Sequence, residues 1–275
     1  MSGGLTISIS ERTGELAPNS FLSALSKIWQ REGHRVDVGK EYRADADVCI
    51  LHHDLTRLEP STVPAPPPGV QAVNGHVLDI SKKTYSTLRI LPGECWPGPV
   101  IIKSNFNHFG RRERLERKEG IVARWRRRLA DVAWRHVRML PQHAYPILNS
   151  SDDVPSWVWN EPDLIVEKFM PERGEGDLYC VRAWIFLGDK GYAYRAFSPN
   201  PLVKTGTTAR YEFFETVPDE LAAQRRKLAF DFGKFDYVEH DGKAILLDAN
   251  KTPSYSGSGN SPRMNMLAEG IGAFI

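Results

Sequence analysis

The stretch "GKFDYVEHDGKAILLDANKTP", residues 233 to 253, constrains this chain more than any other. Two runs of β-forming residues flank "HDGK", and an Asp-Gly pair between such runs predicts an antiparallel hairpin. Residues symmetric about a hairpin turn face each other. The midpoint of positions 236 and 248 is 242, which is Gly242 in the turn. Asp236 and Asp248 are therefore expected opposite one another, with Asn250 one pleat further along on the same face. Two like charges in that arrangement destabilise a hairpin unless something neutralises them. A hard cation does so: Mg²⁺ takes oxygen ligands and commonly uses one or two carboxylates together with substrate phosphates. Taken alone, the hairpin also admits a plainer reading, a solvated polar pair near a strand end.

Two further stretches pose the same kind of choice. "GPVIIK" is an apolar strand that closes on Lys103, a point charge suited to a phosphate. The "SNFNHFG" that follows is small and polar, ends in glycine, and offers backbone N–H groups to phosphate oxygens. In "LIVEKFMPE" three apolar residues run into Glu167 and Lys168, then Phe169 and Met170, a mixture suited to the edge and face of a purine. Each stretch is equally an ordinary strand end with solvated charges.

Their order decides between the readings. A strand-tip lysine, then "VEKFM" about sixty residues on, then an arginine strand, then Asp…Asp-x-Asn-x-x-Pro is a series that resembles the ATP-grasp superfamily, over nearly the whole chain. The resemblance implies an α+β fold in which two α+β subdomains clasp ATP behind a small Rossmann-like α/β lobe. It implies a division into 1–72 for that lobe and 73–275 for the ATP-grasp domain, itself split into a nucleotide-clamp part, 73–162, and a metal-binding part, 163–275. Lys103 matches the lysine that contacts the α/β-phosphates. Glu167, Lys168, Phe169 and Met170 match the hinge that reads adenine, and Glu175 and Asp177 are the two candidates for the ribose acid. Arg195 matches an arginine facing the γ-phosphate and the acyl phosphate, with Arg182 and Lys204 as second contacts. Asp236, Asp248 and Asn250 match the Mg²⁺ ligands, for which Mn²⁺ is an alternative. This chain departs from the pattern in its flap: "SNFNHFGRRE" has one glycine, which leaves Asn105, Asn107 and His108 to hold the turn. The second lysine of the family is unassigned between Lys82 and Lys83.

The implied activity is an ATP- and Mg²⁺-dependent ligase that joins a small-molecule or peptide carboxylate to an amine or thiol through an acyl phosphate. A kinase on the same fold, with His108 or an N-terminal-lobe residue as base, is the alternative, and a nucleotide-binding protein without catalysis is a third reading. No nucleophilic serine or cysteine motif is present, and the ligase requires none.

The rest of the chain sets the frame. "LTISIS", a capped amphipathic helix from Asn19 or Ser20 to Gly33, "HRVDVG" and "ADVCILHH" predict a small parallel lobe without a GxGxxG signature. His52, His53 and Asp54 fall at the C-terminal end of one of its strands, the edge where open α/β sheets bind ligands. Adjacent histidines on an extended chain point to opposite sides, which argues against a shared metal and leaves plain loop residues as the first reading and a substrate-side role as the second. "PSTVPAPPPGVQ", 60 to 71, reads as an extended linker. Eleven Lys/Arg lie between 111 and 138, where Ile121, Trp125, Leu129 and Val132 recur at helical spacing. This predicts one amphipathic helix with a basic outer face, read first as a solvated face and only second as a contact for an anionic partner, whether lipid surface, nucleic acid or acidic peptide. A net charge of only +2 argues against a general polyanion binder. Three scattered cysteines, a start without signal-peptide character and no run of about 18 apolar residues predict a cytoplasmic protein without a membrane span. The apolar "LAEGIGAFI" at the end is suited to packing inside or across a homodimer.

Overall fold

The structure is a computed structural model that describes residues 3–116, 120–257, 259 and 261–275. It divides into two compact units, Met1–Asp79 with Glu172–Ile275, and Ile80–Pro171.

The first unit opens with strand β1 (Thr6–Ser10), helix α1 (Phe21–Arg31), β2 (Arg35–Gly39), β3 (Val48–Leu51) and β4 (Ala72–Val73). The strands form a parallel sheet in the order β2-β1-β3-β4. The helix starts where the sequence signals it: of the two candidate caps, Ser20 is used, its hydroxyl accepting the Ser23 N–H at 3.0 Å. Phe21, Leu22, Leu25, Ile28 and Trp29 are buried along one stripe. The proline-rich stretch has a single 3₁₀ turn, Pro60–Thr62, and runs on without helix or strand until β4.

The same unit continues with β8 (Glu172–Arg173), β9 (Tyr179–Leu187), β10 (Lys190–Ser198), β11 (Arg210–Phe214), α6 (Asp219–Lys227), β12 (Phe232–His240), β13 (Lys243–Asn250) and α7 (Pro262–Glu269). The long strands make an antiparallel sheet, β11-β10-β9-β12-β13, with β8 paired to β9. One core joins this sheet to the N-terminal one. Ile7, Ile9, Leu22 and Trp29 pack with Ile185, Leu187 and Tyr192 and with Met264 and Leu267 of α7. Trp29 also donates its indole N–H to the Ala268 carbonyl at 2.9 Å. Burying one such large side chain contributes roughly 1.5–3 kcal/mol.

The second unit holds α2 (Lys82–Tyr85), β5 (Val100–Ser104), α3 (Arg111–Glu116), α4 (Ile121–Val137), β6 (Ile147–Leu148), α5 (Ser156–Trp159) and β7 (Leu164–Lys168). Its antiparallel sheet has the order β6-β5-β7, and Ile90, Val100, Ile102, Val154, Val158 and Val166 form its core.

The single helix expected over 111–138 is not what forms. Two helices occur there, because Gly120 is extended (φ −68°, ψ 167°) and starts α4 afresh; glycine is a poor helix interior, and 117–119 lie outside the described residues. The apolar stripe also does not turn inward. Ile121, Trp125, Leu129 and Val132 are 70%, 60%, 52% and 87% exposed.

Candidate functional site

In the first unit the hairpin forms as expected. Asp236 pairs with Asp248, and Lys234 with Asn250. The route to that register is more involved than symmetry about Gly242. The turn is two residues long, Asp241 (φ 51°) and Gly242 (φ 73°), between the pair His240 and Lys243. Continued regularly, it would set Asp236 against Leu247. A bulge between Asp236 and Tyr237 adds one residue to β13, and the carboxylates meet. Both donors of the pair then sit on one face with Asn250.

Lys234 was not foreseen and belongs to this set. Two residues before Asp236 on the same strand, it shares that face by the strand period. Its ammonium lies 2.8 Å from Asp236 Oδ1. Burial opposes the charge, but Asp236, Tyr194 and Asp248 outweigh it and hold the lysine pKa above its usual value. The "GK" before "FD" carried this signal through i, i+2 spacing. Gly233 beside it has a packing reason: a Cβ there would come within 2.7 Å of the Asn250 carbonyl.

Asn250 is 6% exposed, and its Oδ1 accepts the Thr252 N–H at 2.9 Å, which fixes which end of the amide is oxygen. Thr252 in turn donates to Asp54 Oδ1 at 2.8 Å, and the Tyr255 N–H donates to the Asn19 carbonyl. The loop after the hairpin is thus tied to the C-terminal ends of the N-terminal strands. There His53 Nε2 lies 3.0 Å from Ser10 Oγ, and Ser10 donates to the Lys40 carbonyl, so the imidazole is the donor to the serine. Burial lowers the pKa of His52 and of His53 to about 4, so both rings are neutral at pH 7.

The arginines do not join the acidic set. Arg195 pairs with Arg182 across β10 and β9, and Arg182 with Tyr237 across β9 and β12. Tyr237 is next to Asp236 on its strand, so both arginines project from the opposite face of the sheet. Each is matched by acids. Arg182 is bound by Glu172, at 2.8 Å, and by Glu239, at 2.9 Å. Arg195 is 2.9 Å from Glu212 Oε2. Burial raises the Glu172 pKa, but the hydrogen bonds from Arg182 and the Glu239 N–H bring it below the usual value. Of the two candidate ribose acids, Glu175 pairs with Arg210 at 2.8 Å, and Asp177 is exposed. Lys204 sits exposed at the start of the short turn Thr205–Thr207.

In the second unit, β5 and β7 bring Lys103 and Glu167 together. Ile101 pairs with Glu167 and Lys103 with Ile165, so the charged pair is diagonal on one face. The Nζ–Oε2 distance is 2.6 Å, with the side chains 12% and 1% exposed. Lys168 projects over the Trp96 ring, its Nζ 4.3 Å from the centroid. The Phe169 N–H donates to the Pro99 carbonyl at 2.8 Å, and Met170 is half-buried.

The flap after Lys103 is held by side chains. Asn105 Oδ1 accepts the Lys83 N–H, Asn107 Oδ1 accepts the His108 N–H, and the Lys82 ammonium donates to the Phe106 carbonyl. His108 (φ 44°), Phe109 (φ 57°) and Gly110 (φ 67°) are successive left-handed residues. For His and Phe this conformation costs about 1–3 kcal/mol each. A cavity of about 230 Å³ lies behind this turn, between Phe106, Phe109, Arg127, Arg138 and Trp157; Lys103 and Glu167 do not line it.

No family model matches the sequence, and a search of curated proteins finds no match. Solved structures do resemble it. The ATP-grasp ligase PsnB, solved in complex with a minimal precursor, superposes with a TM-score of 0.50 at 10% identity, over 98% of this chain and 99% of that one. A RimK domain protein ATP-grasp from Sphaerobacter thermophilus gives 0.48 at 12% identity, covering 97% and 99%. The macrocyclase MdnC from Microcystis aeruginosa, bound with precursor peptide MdnA, gives 0.49 at 8%, covering 96% and 98%. The chain has the ATP-grasp fold.

Proposed function

We propose that a chain of this fold works as an ATP- and Mg²⁺-dependent ligase, joining a carboxylate to an amine and releasing ADP and phosphate. The observation that carries the reading is the face shared by Lys234, Asp236, Asp248 and Asn250. Two carboxylates and a carboxamide oxygen form a donor set that suits Mg²⁺ when phosphate oxygens complete its shell. Bound there, the metal supplies neutralisation of phosphate charge. Among the described residues no cluster of three or more His, Cys, Asp or Glu competes as a metal site.

The chain's own residues then divide the work. Asp236, Asp248 and Asn250 would hold the cation. Lys234, already protonated beside Asp236, is placed to balance charge on the phosphoryl group in transit and on the oxyanion that follows. This is the role that the family resemblance gives to Arg195, and the opposite-face position of Arg195 favours Lys234 for it. Lys103 keeps Glu167 neutralised with one of its three N–H donors, and the others are suited to the α/β-phosphates. With the Glu167 carboxylate held in this way, adenine would be read by backbone groups of the hinge from Lys168 to Met170 other than the Lys168 and Phe169 N–H groups, which are donated to Leu88 and Pro99. The flap contributes a turn already bent into the left-handed region, with a backbone suited to a phosphate oxygen.

The reaction has two balanced steps. A carboxylate oxygen attacks the γ-phosphorus, and ADP leaves as the acyl phosphate forms. An amine then adds to the acyl carbon, phosphate leaves, and the amine proton passes to phosphate or solvent. Catalysis here is positioning and electrostatics. The acid is a small molecule or a peptide carboxylate. The strand ends carrying Ser10, His52, His53 and Asp54, tied to Thr252, are its proposed seat.

Incubation with Mg·ATP, hydroxylamine and a panel of acids tests the proposal. Acyl hydroxamate with ADP release is the expected outcome. A phosphorylated alcohol in its place, with no hydroxamate, refutes the ligase in favour of the kinase.

A further inference from the structure

The structure leaves one helix face without a partner, and it is unlike the rest of the surface. Ile121, Val122, Trp125, Leu129 and Val132 of α4 are all more than half exposed, from 52% to 87%. At 3.6 residues per turn these five fall within an arc of about 100°. They are one stripe, not scattered apolar residues. The inner side of the helix is elsewhere: Ala130 is fully buried, and Trp134 packs against the core of its unit.

Arginines edge the stripe, two along one side and a single one at the other. Arg124 and Arg128 flank it on the Ile121 side, and the Arg128 guanidinium lies 5.5 Å from the centre of the Trp125 ring. Arg126 flanks it beyond Val122; it is exposed, and its guanidinium donates to the Val137 carbonyl. Between 111 and 138 the described residues include nine arginines against Glu113, Glu116 and Asp131. An apolar arc about 17 Å long, ending at the kink at Ala133 and edged by positive charge, needs a partner that is apolar in the middle and anionic at its margins.

We infer that α4 lies in the surface of an anionic lipid bilayer, with its apolar stripe among the acyl chains and its arginines at the headgroups. Charge complementarity selects this occupant. A second copy of the chain would oppose arginine to arginine at the edges. An acidic peptide would have to place carboxylates on both flanks in register with a convex helix that offers no groove. A bilayer meets the face at any register, because its apolar layer lies beneath a continuous negative one. Trp125, mid-stripe with a polar indole N–H, is the kind of side chain that settles at such a boundary. No described helix is long and apolar enough to cross a membrane, so the attachment is peripheral.

The test uses the full chain in vesicle flotation. Phosphatidylcholine vesicles are compared with the same vesicles containing about 30% phosphatidylserine. Partitioning on the order of tenfold higher to the anionic vesicles is expected, and it should collapse at about 0.5 M NaCl. Trp125→Ser with Leu129→Ser should lower it by a further order of magnitude, whereas Arg124→Gln with Arg128→Gln should remove most of the preference for phosphatidylserine. ATP turnover of the variants, none of them at the proposed active site, checks their folding. Equal partitioning to both vesicles overturns the inference, and this comparison needs no variant. Retention on immobilised poly-glutamate without vesicle binding transfers the face to a protein partner and overturns it as well. So does a dimer in sedimentation that Trp125→Ser with Leu129→Ser dissolves.

Discussion

Replacing Lys234 with glutamine separates its structural part from the catalytic one proposed for it. In the wild type the ammonium is 2.8 Å from Asp236, with 24% and 25% of the two side chains exposed. At an effective dielectric of about 20 the attraction is about 6 kcal/mol before desolvation. Desolvation and partial exposure offset much of that, so removing the charge should cost roughly 2–4 kcal/mol of stability. The loss arises because Lys234→Gln leaves Asp236 and Asp248 facing each other across the ladder. The same vacancy should admit a divalent cation more readily. Urea unfolding followed by circular dichroism, in EDTA and in about 10 mM MgCl₂, measures both effects. The variant should unfold earlier than wild type in EDTA and recover with Mg²⁺, by about 2.7 kcal/mol where the cation reaches a hundred times its Kd. Turnover should nevertheless stay down by about 10²–10³. The difference between variant and wild type should hold level from pH 6 to 9. A lysine with a raised folded pKa contributes fully below its unfolded value of about 10.4, and loses that contribution only as pH climbs through the folded one. Equal unfolding midpoints in EDTA, or a destabilised variant that Mg²⁺ does not rescue, would refute the reasoning.

Three further outcomes are expected. Asp248→Asn should keep the fold and lose Mg²⁺-dependent ATP turnover by about 10³; near wild-type turnover would take Asp248 out of the metal set. Lys103→Met should destabilise by about 3–5 kcal/mol because Glu167, 1% exposed, loses its partner, and the double variant with Glu167→Gln should recover most of that in a double-mutant cycle. His52 and His53 have folded pKa values depressed to about 4 by burial, so their contribution is complete above the unfolded value of about 6.5 and is lost as pH falls toward 4. The urea midpoint should drop between pH 7 and 4.5, and His52→Gln with His53→Gln should flatten that drop; an unchanged slope would show that other groups set it.

Local signals in the sequence located most elements. Ser20, the stripe of α1, the parallel first lobe and the hairpin were all legible, because caps, period and turn chemistry act over a few residues. The Asp236–Asp248 pairing was legible for an incomplete reason. Counting to the midpoint of the turn assumes a regular ladder, and a two-residue turn plus a bulge happens to give the same sum. The side of the sheet on which Arg195 projects was hidden, since it depends on the register of three successive strands. Lys234 was hidden in plain view; its strand position is in the sequence, but nothing local separates it from an ordinary solvated strand lysine. Helix α4 misled in the opposite way. Periodicity reveals that a face is apolar, but only tertiary packing decides whether that face is covered.

The first unit is built from both ends of the chain, while Ile80–Pro171 is contiguous. This fixes an order of events during synthesis. The contiguous unit has every residue of its core once Val166 has left the ribosome. The first strands and α1, made earliest, have no complete core until Met264 and Leu267 arrive, and the Trp29 indole waits 239 residues for the Ala268 carbonyl. A chain that folds from its start must therefore hold its oldest segment unfinished while a younger one closes. Ribosome-bound chains stopped near residue 255 should present a protease-resistant middle and a labile beginning.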